Sequence, residues 1–260
     1  MRNSRFLFLI IVGIALTGCD RVHWLSRAGE AIGVTDAPPP VPVARDMLCD
    51  ASTGSTCSEK TLSLALDAIL PTVAARPGSV VRLWTLAETV AGTRVLAERV
   101  STPSARPSTQ AVRAHEKRFV EETKLLFLQA AQPLFDRPAR RSPIAESIVK
   151  VSLASVPKGA EREIVLVTDG REESSFGHFE CGRMPSEQGF LRQLHAASLL
   201  LPESLKGIRI IWCFFSLEPV PGERCPATLD RFLQTKSLWA AALHGAGADV
   251  QFESSAPERN

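Results

Sequence analysis

Three short segments of this sequence carry side-chain oxygen atoms in a pattern that could bind a metal ion. Asp50 and Ser52 come directly after residues 43–49, Ser142 stands directly before Pro143, and Asp169 ends an apolar run. Carboxylate and hydroxyl oxygens are ligands that hard cations such as Mg²⁺ prefer, and Mg²⁺ keeps several waters when it binds. One coordination position can therefore be left for the carboxylate of another molecule.

The apolar run before Asp169 is the element that would position these oxygens. Residues 164–167 are β-branched residues and leucine, and Asp169 and Gly170 follow shortly after them. A continuous apolar run bounded by turn residues is typical of a strand buried on both faces of a parallel sheet. Ligands bind at the carboxyl ends of such strands. If the sheet is parallel, the other two segments lie at the same end.

Strand and helix patterns alternate along the chain from residue 43 onward. Residues 43–49 are a poor strand by pattern, because Arg45 and Asp46 interrupt it. The β-rich runs 80–87 and 93–100 are joined so closely that they must form an antiparallel hairpin. Helical spacing of apolar residues predicts helices between the strands, among them one capped by Ser108 whose end Pro133 disturbs and one at about 190–201.

This order of elements predicts the fold class. Strands that alternate with helices favour a three-layer α/β fold, with a mostly parallel central sheet, one antiparallel edge strand and helices on both faces. Ser142 is predicted to be the N-cap of a helix in which Pro143 is the first helical residue. Taken singly, Ser52, Ser142 and Asp169 could be simple turn or cap residues. Taken together, in this order and strand context, they indicate one shared site.

The N-terminus predicts export. Arg2 and Arg5 precede the apolar residues 6–15, and Leu16-Thr17-Gly18-Cys19 follows. A charged start, a short apolar core and small residues before a cleavage site are typical of a signal peptide. The last four residues resemble the lipobox of bacterial lipoproteins, which implies that Cys19 carries lipid. Asp20 resembles the signal for inner-membrane retention and so favours the inner membrane, with the domain facing the periplasm.

The predicted domain organisation follows from that start. Residues 1–18 are the signal peptide, residues 19–42 are the lipidated cysteine and a proline-rich linker, and residues 43–253 are the folded domain. Residues 254–260 form a polar tail. Cysteines are expected to pair in an exported chain. Cys181 and Cys225, which lie in loops after successive strands, are the pair that we predict, whereas Cys213 is expected to be a small buried residue.

The three oxygen-bearing segments together resemble the von Willebrand factor type A (vWA) domain and its metal-ion-dependent adhesion site. In that family the first strand ends in Asp-x-Ser-x-Ser, a threonine precedes a proline and a helix, and the central strand ends in an aspartate. Here Asp50, Ser52, Ser142 and Asp169 match in turn, and Ser-Pro-Ile-Ala-Glu-Ser-Ile is similar to the family's helix start. The resemblance covers residues 43–252. It departs at Gly54, where the family has a second serine.

The resemblance implies a metal-binding, protein-binding module. We expect Asp50, Ser52, Ser142 and Asp169 to hold Mg²⁺ or Mn²⁺, and an acidic side chain of another protein to complete the coordination. That partner would belong to the cell envelope, for example to an envelope-spanning complex. A second hypothesis is a metal-free structural lipoprotein of a secretion or conjugation apparatus, which makes contacts near Trp84 or through residues 171–185.

Other functional classes have less support in the sequence. The formal net charge of +2 is too small to indicate nucleic-acid binding. The sequence has no phosphate-binding loop, no Gly-x-Gly-x-x-Gly motif and no Gly-x-Ser-x-Gly motif. We therefore expect a protein that is not an enzyme. A hydrolase that uses Asp169 and His178 remains a third hypothesis.

Overall fold

The protein is described here by a computed structural model covering residues 40–52, 57–104, 108–177, 179, 184–213 and 229–253. The chain divides into two units at Pro40, and the described residues all belong to the second unit, Pro40–Asn260. The predicted signal peptide, Cys19, most of the linker and the polar tail lie outside the described residues. Within the described part, no helix is both long enough and apolar enough to cross a membrane.

The second unit alternates strands and helices in the order that the sequence predicts. The described strands are β1 Val43–Cys49, β2 Val80–Thr85, β3 Val95–Val100, β4 Glu161–Val167, β5 Ile208–Cys213 and β6 Asp249–Glu253. The described helices are α1 Glu59–Ala74, α2 Thr109–Asp136, α3 Ile144–Ser152, α4 Glu187–Ala196 and α5 Leu229–Gly245, with a short 3₁₀ turn at Val90–Gly92.

The strands form a six-stranded sheet in the order β3-β2-β1-β4-β5-β6. All neighbouring strands are parallel except β2 and β3, which form the antiparallel hairpin at one edge. The predicted fold class is therefore confirmed. The chain builds outward from β1 to one side, then returns to build outward from β4 to the other. The strand order thus reverses between β1 and β4, and the carboxyl ends of strands at such a reversal are where open α/β sheets bind ligands.

Helices cover the sheet on both faces and enclose two cores. Successive side chains of a strand point to opposite faces, so Met47 packs with helices α1 and α2 while Leu48 packs with α3, α4 and α5. The second core contains an aromatic group in which Trp239 contacts both Phe190 and Trp212. These two cores fix the carboxyl ends of β1 and β4 on both sides.

The charges that make β1 a poor strand by pattern are paired across the sheet. Arg45 lies beside Glu163 of β4, and its Nε atom donates to Glu163 Oε2 at 2.6 Å. On the opposite face Asp46 pairs with Arg82 of β2, with 2.7 Å between Oδ1 and Nε. Both pairs are buried. A buried charge needs such a partner, which explains why this strand does not follow a simple apolar pattern.

One helix end differs from the sequence expectation, and another helix continues for three residues past a proline. Helix α4 ends at Ala196 instead of continuing to residue 201, because Ser198 adopts a left-handed conformation with φ of 58°. The Leu199 amide then donates to the Leu194 carbonyl, as in a Schellman motif. Pro133 does not end α2, which continues to Asp136. A proline costs one helical hydrogen bond but keeps a helical φ.

Candidate functional site

Three of the predicted site residues, Asp50, Ser142 and Asp169, lie at the adjoining carboxyl ends of β1 and β4. Asp50 directly follows β1, and Thr168 and Asp169 directly follow β4. The Asp50 amide donates to the Val167 carbonyl at 3.1 Å, so the two strand ends stay paired up to the site. The adjacent strand ends bring together residues that are more than a hundred positions apart in the sequence.

Asp50 is the centre of the site's hydrogen bonds. Its carboxylate is fully buried, and Oδ2 accepts hydrogen bonds from the hydroxyls of Ser142 at 2.6 Å and Thr168 at 2.7 Å. Oδ1 accepts from the Ser52 amide at 3.0 Å. Three donors offset the cost of burying this carboxylate. They also fix its orientation.

Ser142 reaches Asp50 in place of capping a helix. The predicted N-cap role is wrong, because helix α3 has Pro143 at the N-cap position and no side-chain cap there. The Ser142 hydroxyl donates a hydrogen bond to the Asp50 carboxylate instead. A hydroxyl that donates its proton keeps its lone pairs. The oxygen of Ser142 therefore still has the electrons that a cation would need.

The loops that carry these residues are tied to one another through their backbones. Ser142 and Glu173 exchange two backbone hydrogen bonds of 3.2 and 3.0 Å. Ser52 forms a single parallel bridge with Ala139, where the Ala139 amide donates to the Ala51 carbonyl at 3.2 Å. Backbone hydrogen bonds between neighbouring loops thus hold the loops of the site in place.

Asp169 is the second carboxylate of the site. Its side chain is 10% exposed, and it forms an ion pair in which Arg171 Nε lies 3.1 Å from Oδ2. Burial, together with the smaller effect of the nearby charge of Asp50, raises the pKa of Asp169 to about 6, although Arg171 acts in the opposite direction. The effect of Asp50 on Asp169 indicates that the two carboxylates are close enough to repel each other.

Two buried tryptophans hold the backbone on either side of Asp169. The indole N–H of Trp212 donates to the Thr168 carbonyl at 2.9 Å, and that of Trp239 donates to the Gly170 carbonyl at 2.8 Å. Gly170 has a φ of 80°, a conformation that glycine adopts without strain. The sequence analysis missed both indoles, because nothing in the sequence shows which strand end a distant tryptophan contacts.

Glu172 is a third acidic residue of this region, and the sequence analysis did not single it out. It is 1% exposed, and its Oε2 accepts a hydrogen bond from the Ala145 amide at 3.0 Å. It thereby satisfies the start of helix α3, the role that was predicted for Ser142. Burial raises the pKa of Glu172 to about 8, although the hydroxyl of Ser174 and the Ala145 amide oppose the shift.

A disulfide closes the loop that carries Asp50 and Ser52. Cys49 and Cys57 are bonded, with 5.6 Å between their Cα atoms. The predicted pair, Cys181 with Cys225, lies outside the described residues and stays a prediction. Cys213 is buried, as expected. The signal for the observed pair was available, since two cysteines eight positions apart flank the polar segment that follows β1.

The donor set fits a hard divalent cation in its chemistry. Asp50 and Asp169 supply carboxylate oxygens, and Ser142 supplies a hydroxyl oxygen. Among the described residues, no group of three or more histidine, cysteine or acidic side chains is arranged to hold a metal. The site described above has only two such side chains, Asp50 and Asp169, and its other oxygen ligands are hydroxyl groups. Arg171 already supplies one positive charge to Asp169, so a cation would compete with it.

Beside the site lies an open pocket of about 390 Å³. Ala51, Leu86, Leu134 and Pro138 form much of its wall, and Arg137 adds a charged group. Ala51 directly follows Asp50, so pocket and site share one loop. The pocket could receive an apolar side chain next to the predicted cation.

The remaining candidate residues are placed less favourably. Gly54 and His178 lie outside the described residues, so the departure from the vWA motif and the hydrolase hypothesis gain no structural detail. Trp84 is only 7% exposed, and its indole N–H donates to Asp46 Oδ1 at 2.8 Å. It is therefore a structural residue and does not offer the contact surface that was considered for it.

Comparison with known proteins gives no relative for this chain: no family model matches it, and no curated protein matches it significantly.

Proposed function

We propose that this protein is a lipid-anchored bacterial envelope protein with a vWA-like domain that binds another protein through Mg²⁺ or Mn²⁺. The observation that carries the proposal is the convergence of Asp50, Ser142 and Asp169 at the paired strand ends where the strand order reverses. Two carboxylates held close together in a buried place repel each other, and a divalent cation relieves that repulsion.

Each residue of the proposed site has its own part. Asp50, Ser52, Ser142 and Asp169 would hold the ion, which supplies positive charge for an acidic side chain of the partner. Thr168 orients Asp50 through its hydroxyl, and the indoles of Trp212 and Trp239 hold the backbone beside Asp169. The adjacent pocket would take an apolar residue of the same partner segment.

The polarity of the sheet agrees with this function. The chain enters β1 at the amino edge, whereas Asp50 and Asp169 lie at the carboxyl edge, on the other side of a seven-residue strand. At about 3.3 Å per residue, that strand separates the two edges by roughly 23 Å. The site thus lies at the edge of the sheet opposite the one at which the chain from Cys19 enters it.

The second candidate is the metal-free structural lipoprotein, and one observation favours it. Arg171 pairs with Asp169 and gives the carboxylate the positive charge that a metal would otherwise supply. In this case the loop beginning at Arg171 would contact the partner directly. The hydrolase hypothesis has no such observation, and a broad substrate screen without turnover would end it.

The test is capture of the partner by the full-length protein from solubilised cell envelopes after crosslinking. Asp169→Asn keeps the size of the side chain and removes its charge, and Asp67→Asn, on the exposed side of α1, is the matched control. The proposal predicts a partner that is lost in Asp169→Asn and after chelation, and retained in Asp67→Asn. A partner retained in all three samples would favour the metal-free alternative.

A further inference from the structure

Four exposed aliphatic side chains lie at the amino edge of the sheet, opposite the proposed site. Val41 precedes β1, Leu153 and Val156 connect α3 with β4, and Leu201 connects α4 with β5. Their exposed fractions are 48, 81, 38 and 41%. We refer to Val41, Leu153, Val156 and Leu201 as the amino-edge cluster.

The three segments that carry the cluster lead into neighbouring strands. Strands β1, β4 and β5 are adjacent in the sheet, at a spacing of about 4.8 Å per strand. The Glu161 amide at the start of β4 donates to the Pro42 carbonyl at 2.9 Å, which ties the first two segments together. Single exposed aliphatic residues are ordinary, but grouped ones mark a contact surface.

The charges around the cluster are balanced. Arg76 pairs with Glu161, and Lys206 pairs with Glu203, and all four side chains are partly or largely exposed. Acidic residues therefore do not dominate this edge, and an anionic surface would not repel it. Aliphatic side chains between lysine and arginine residues suit the headgroup layer of a membrane, where cations stay at the surface while apolar groups enter.

The linker from Cys19 joins the domain at this edge. Val41 follows Cys19 by 22 positions, so a lipid on Cys19 would hold it within about 75 Å of the bilayer, the greatest reach of such a segment. The cluster belongs to the part of the domain that is joined first to this tether. The opposite edge, which carries Asp50 and Asp169, lies a full strand length further along the chain.

We propose that the amino-edge cluster docks on the phospholipid surface of the membrane that anchors the chain, so that the domain rests on the bilayer with its carboxyl edge outward. This inference rests on the lipid anchor of the proposed function and does not depend on the metal. It adds a second contact to the acyl chain, since stable membrane attachment takes two signals.

The experiment places p-benzoylphenylalanine, a photo-crosslinking amino acid, at Leu153 of the full-length protein. The protein is reconstituted with vesicles of phosphatidylethanolamine and phosphatidylglycerol and irradiated, and adducts are identified by mass spectrometry. Leu125 is the matched control, because it is 59% exposed but lies on α2, which packs on the other face of the sheet. Leu201 is a second test position in case the substitution at Leu153 prevents folding.

Phospholipid adducts that are several-fold more abundant at Leu153 or Leu201 than at Leu125 are the expected result. Equal yields at test and control positions would overturn the inference. Adducts to protein alone, including adducts to residues 20–39 of the same chain, would also overturn the inference. The mass of the N-terminal peptide separately reports lipid on Cys19. An unmodified Cys19 would refute the anchor, while the adducts at Leu153 would still decide docking, because vesicles are present in either case.

Discussion

At the scale of single residues, the carboxyl edge of the sheet contains three buried or nearly buried carboxyl groups, which is unusual for a buried region. Asp50 is stabilised by three donors and Asp169 by Arg171, whereas Glu172 has its pKa raised to about 8 by burial. A carboxyl group with this pKa is protonated in the folded protein at neutral pH. In the unfolded chain it is ionised there.

This difference predicts a dependence of stability on pH that Glu172→Gln removes. Because the folded pKa of Glu172 is raised, its favourable contribution is complete below about 4.5 and is lost as the pH rises through about 8. Glutamine mimics the neutral form at every pH. We expect Glu172→Gln to be more stable than the wild type at pH 8, by an amount on the order of a few kcal/mol, in urea unfolding experiments.

The matched control is Glu173→Gln, since this neighbouring side chain is exposed. Asp169, whose raised pKa is about 6, gives a contribution that is complete below about 3.8 and is lost as the pH rises through about 6. The interval from pH 6 to 8 therefore isolates Glu172. Parallel stability curves of Glu172→Gln and the wild type over this interval would contradict the prediction.

Arg171 leads to a second prediction at this scale. Arg171 and a metal ion would both compensate the charge of Asp169, so Arg171→Ala should tighten Mg²⁺ binding about two- to fivefold, as expected for a partly exposed ion pair. Isothermal titration calorimetry measures this change. Arg192→Ala, an exposed arginine of α4, is the control. Weaker Mg²⁺ binding in Arg171→Ala would show that the arginine supports the site and does not compete with the ion.

The sequence could predict Asp50 and Asp169 because each stands at the end of a strand, and strand ends of a parallel sheet meet. It could not predict Thr168, which reads as the last residue of the apolar run, although its hydroxyl is as close to Asp50 as that of Ser142. Nor could it predict Glu172, because only the folded arrangement shows that this acid is buried at the start of α3. A local sequence pattern does not show which residues from distant segments become hydrogen-bond partners.

At the scale of elements, the loop between β1 and α1 carries part of the site and is closed by the Cys49–Cys57 disulfide. The Cys49→Ala/Cys57→Ala double variant should be less stable by about 2–3 kcal/mol, because the unfolded chain regains the freedom of the closed loop. It should also bind Mg²⁺ more weakly, since Asp50 and Ser52 lie inside that loop. Urea unfolding and calorimetry measure the two effects.

Treatment with a reductant provides the control for this prediction. Wild-type protein in reductant should approach the stability of the double variant, whereas the reductant should change the double variant much less. A double variant as stable as the oxidised wild type would show that the disulfide does not contribute. The pair predicted from the sequence, Cys181 with Cys225, shares no cysteine with Cys49–Cys57 and stays a prediction beside it. The short separation of Cys49 and Cys57 in the sequence is the signal for the observed pair.

At the scale of the whole molecule, one row of charges crosses four strands in register. Arg45, Glu163, Arg209 and Asp249 are successive partners on β1, β4, β5 and β6. Charge alternates along the row, and exposure increases towards Asp249. The pattern of each strand taken alone does not reveal this row, whereas the order of elements alone predicted the sheet and its antiparallel edge.

Glu163→Gln should therefore lower the free energy of unfolding by about 3–5 kcal/mol, because Arg45 would stay buried without its charged partner. Asp249→Asn, at the exposed end of the row, should cost less than about 1 kcal/mol. Urea unfolding compares the two variants. Equal losses of stability would contradict this account of the row. Neither change should alter Mg²⁺ binding, since the row lies away from the carboxyl edge.

The central claim is that the carboxyl edge of the sheet binds a divalent cation, and calorimetric titration of Mg²⁺ and Mn²⁺ into the full-length protein tests it most directly. We predict saturable binding that is lost in Asp50→Ala and Asp169→Asn and retained in Asp67→Asn. Absence of saturable heat with either metal up to millimolar concentrations would contradict the claim. The protein would then be a metal-free scaffold in which Arg171 neutralises Asp169.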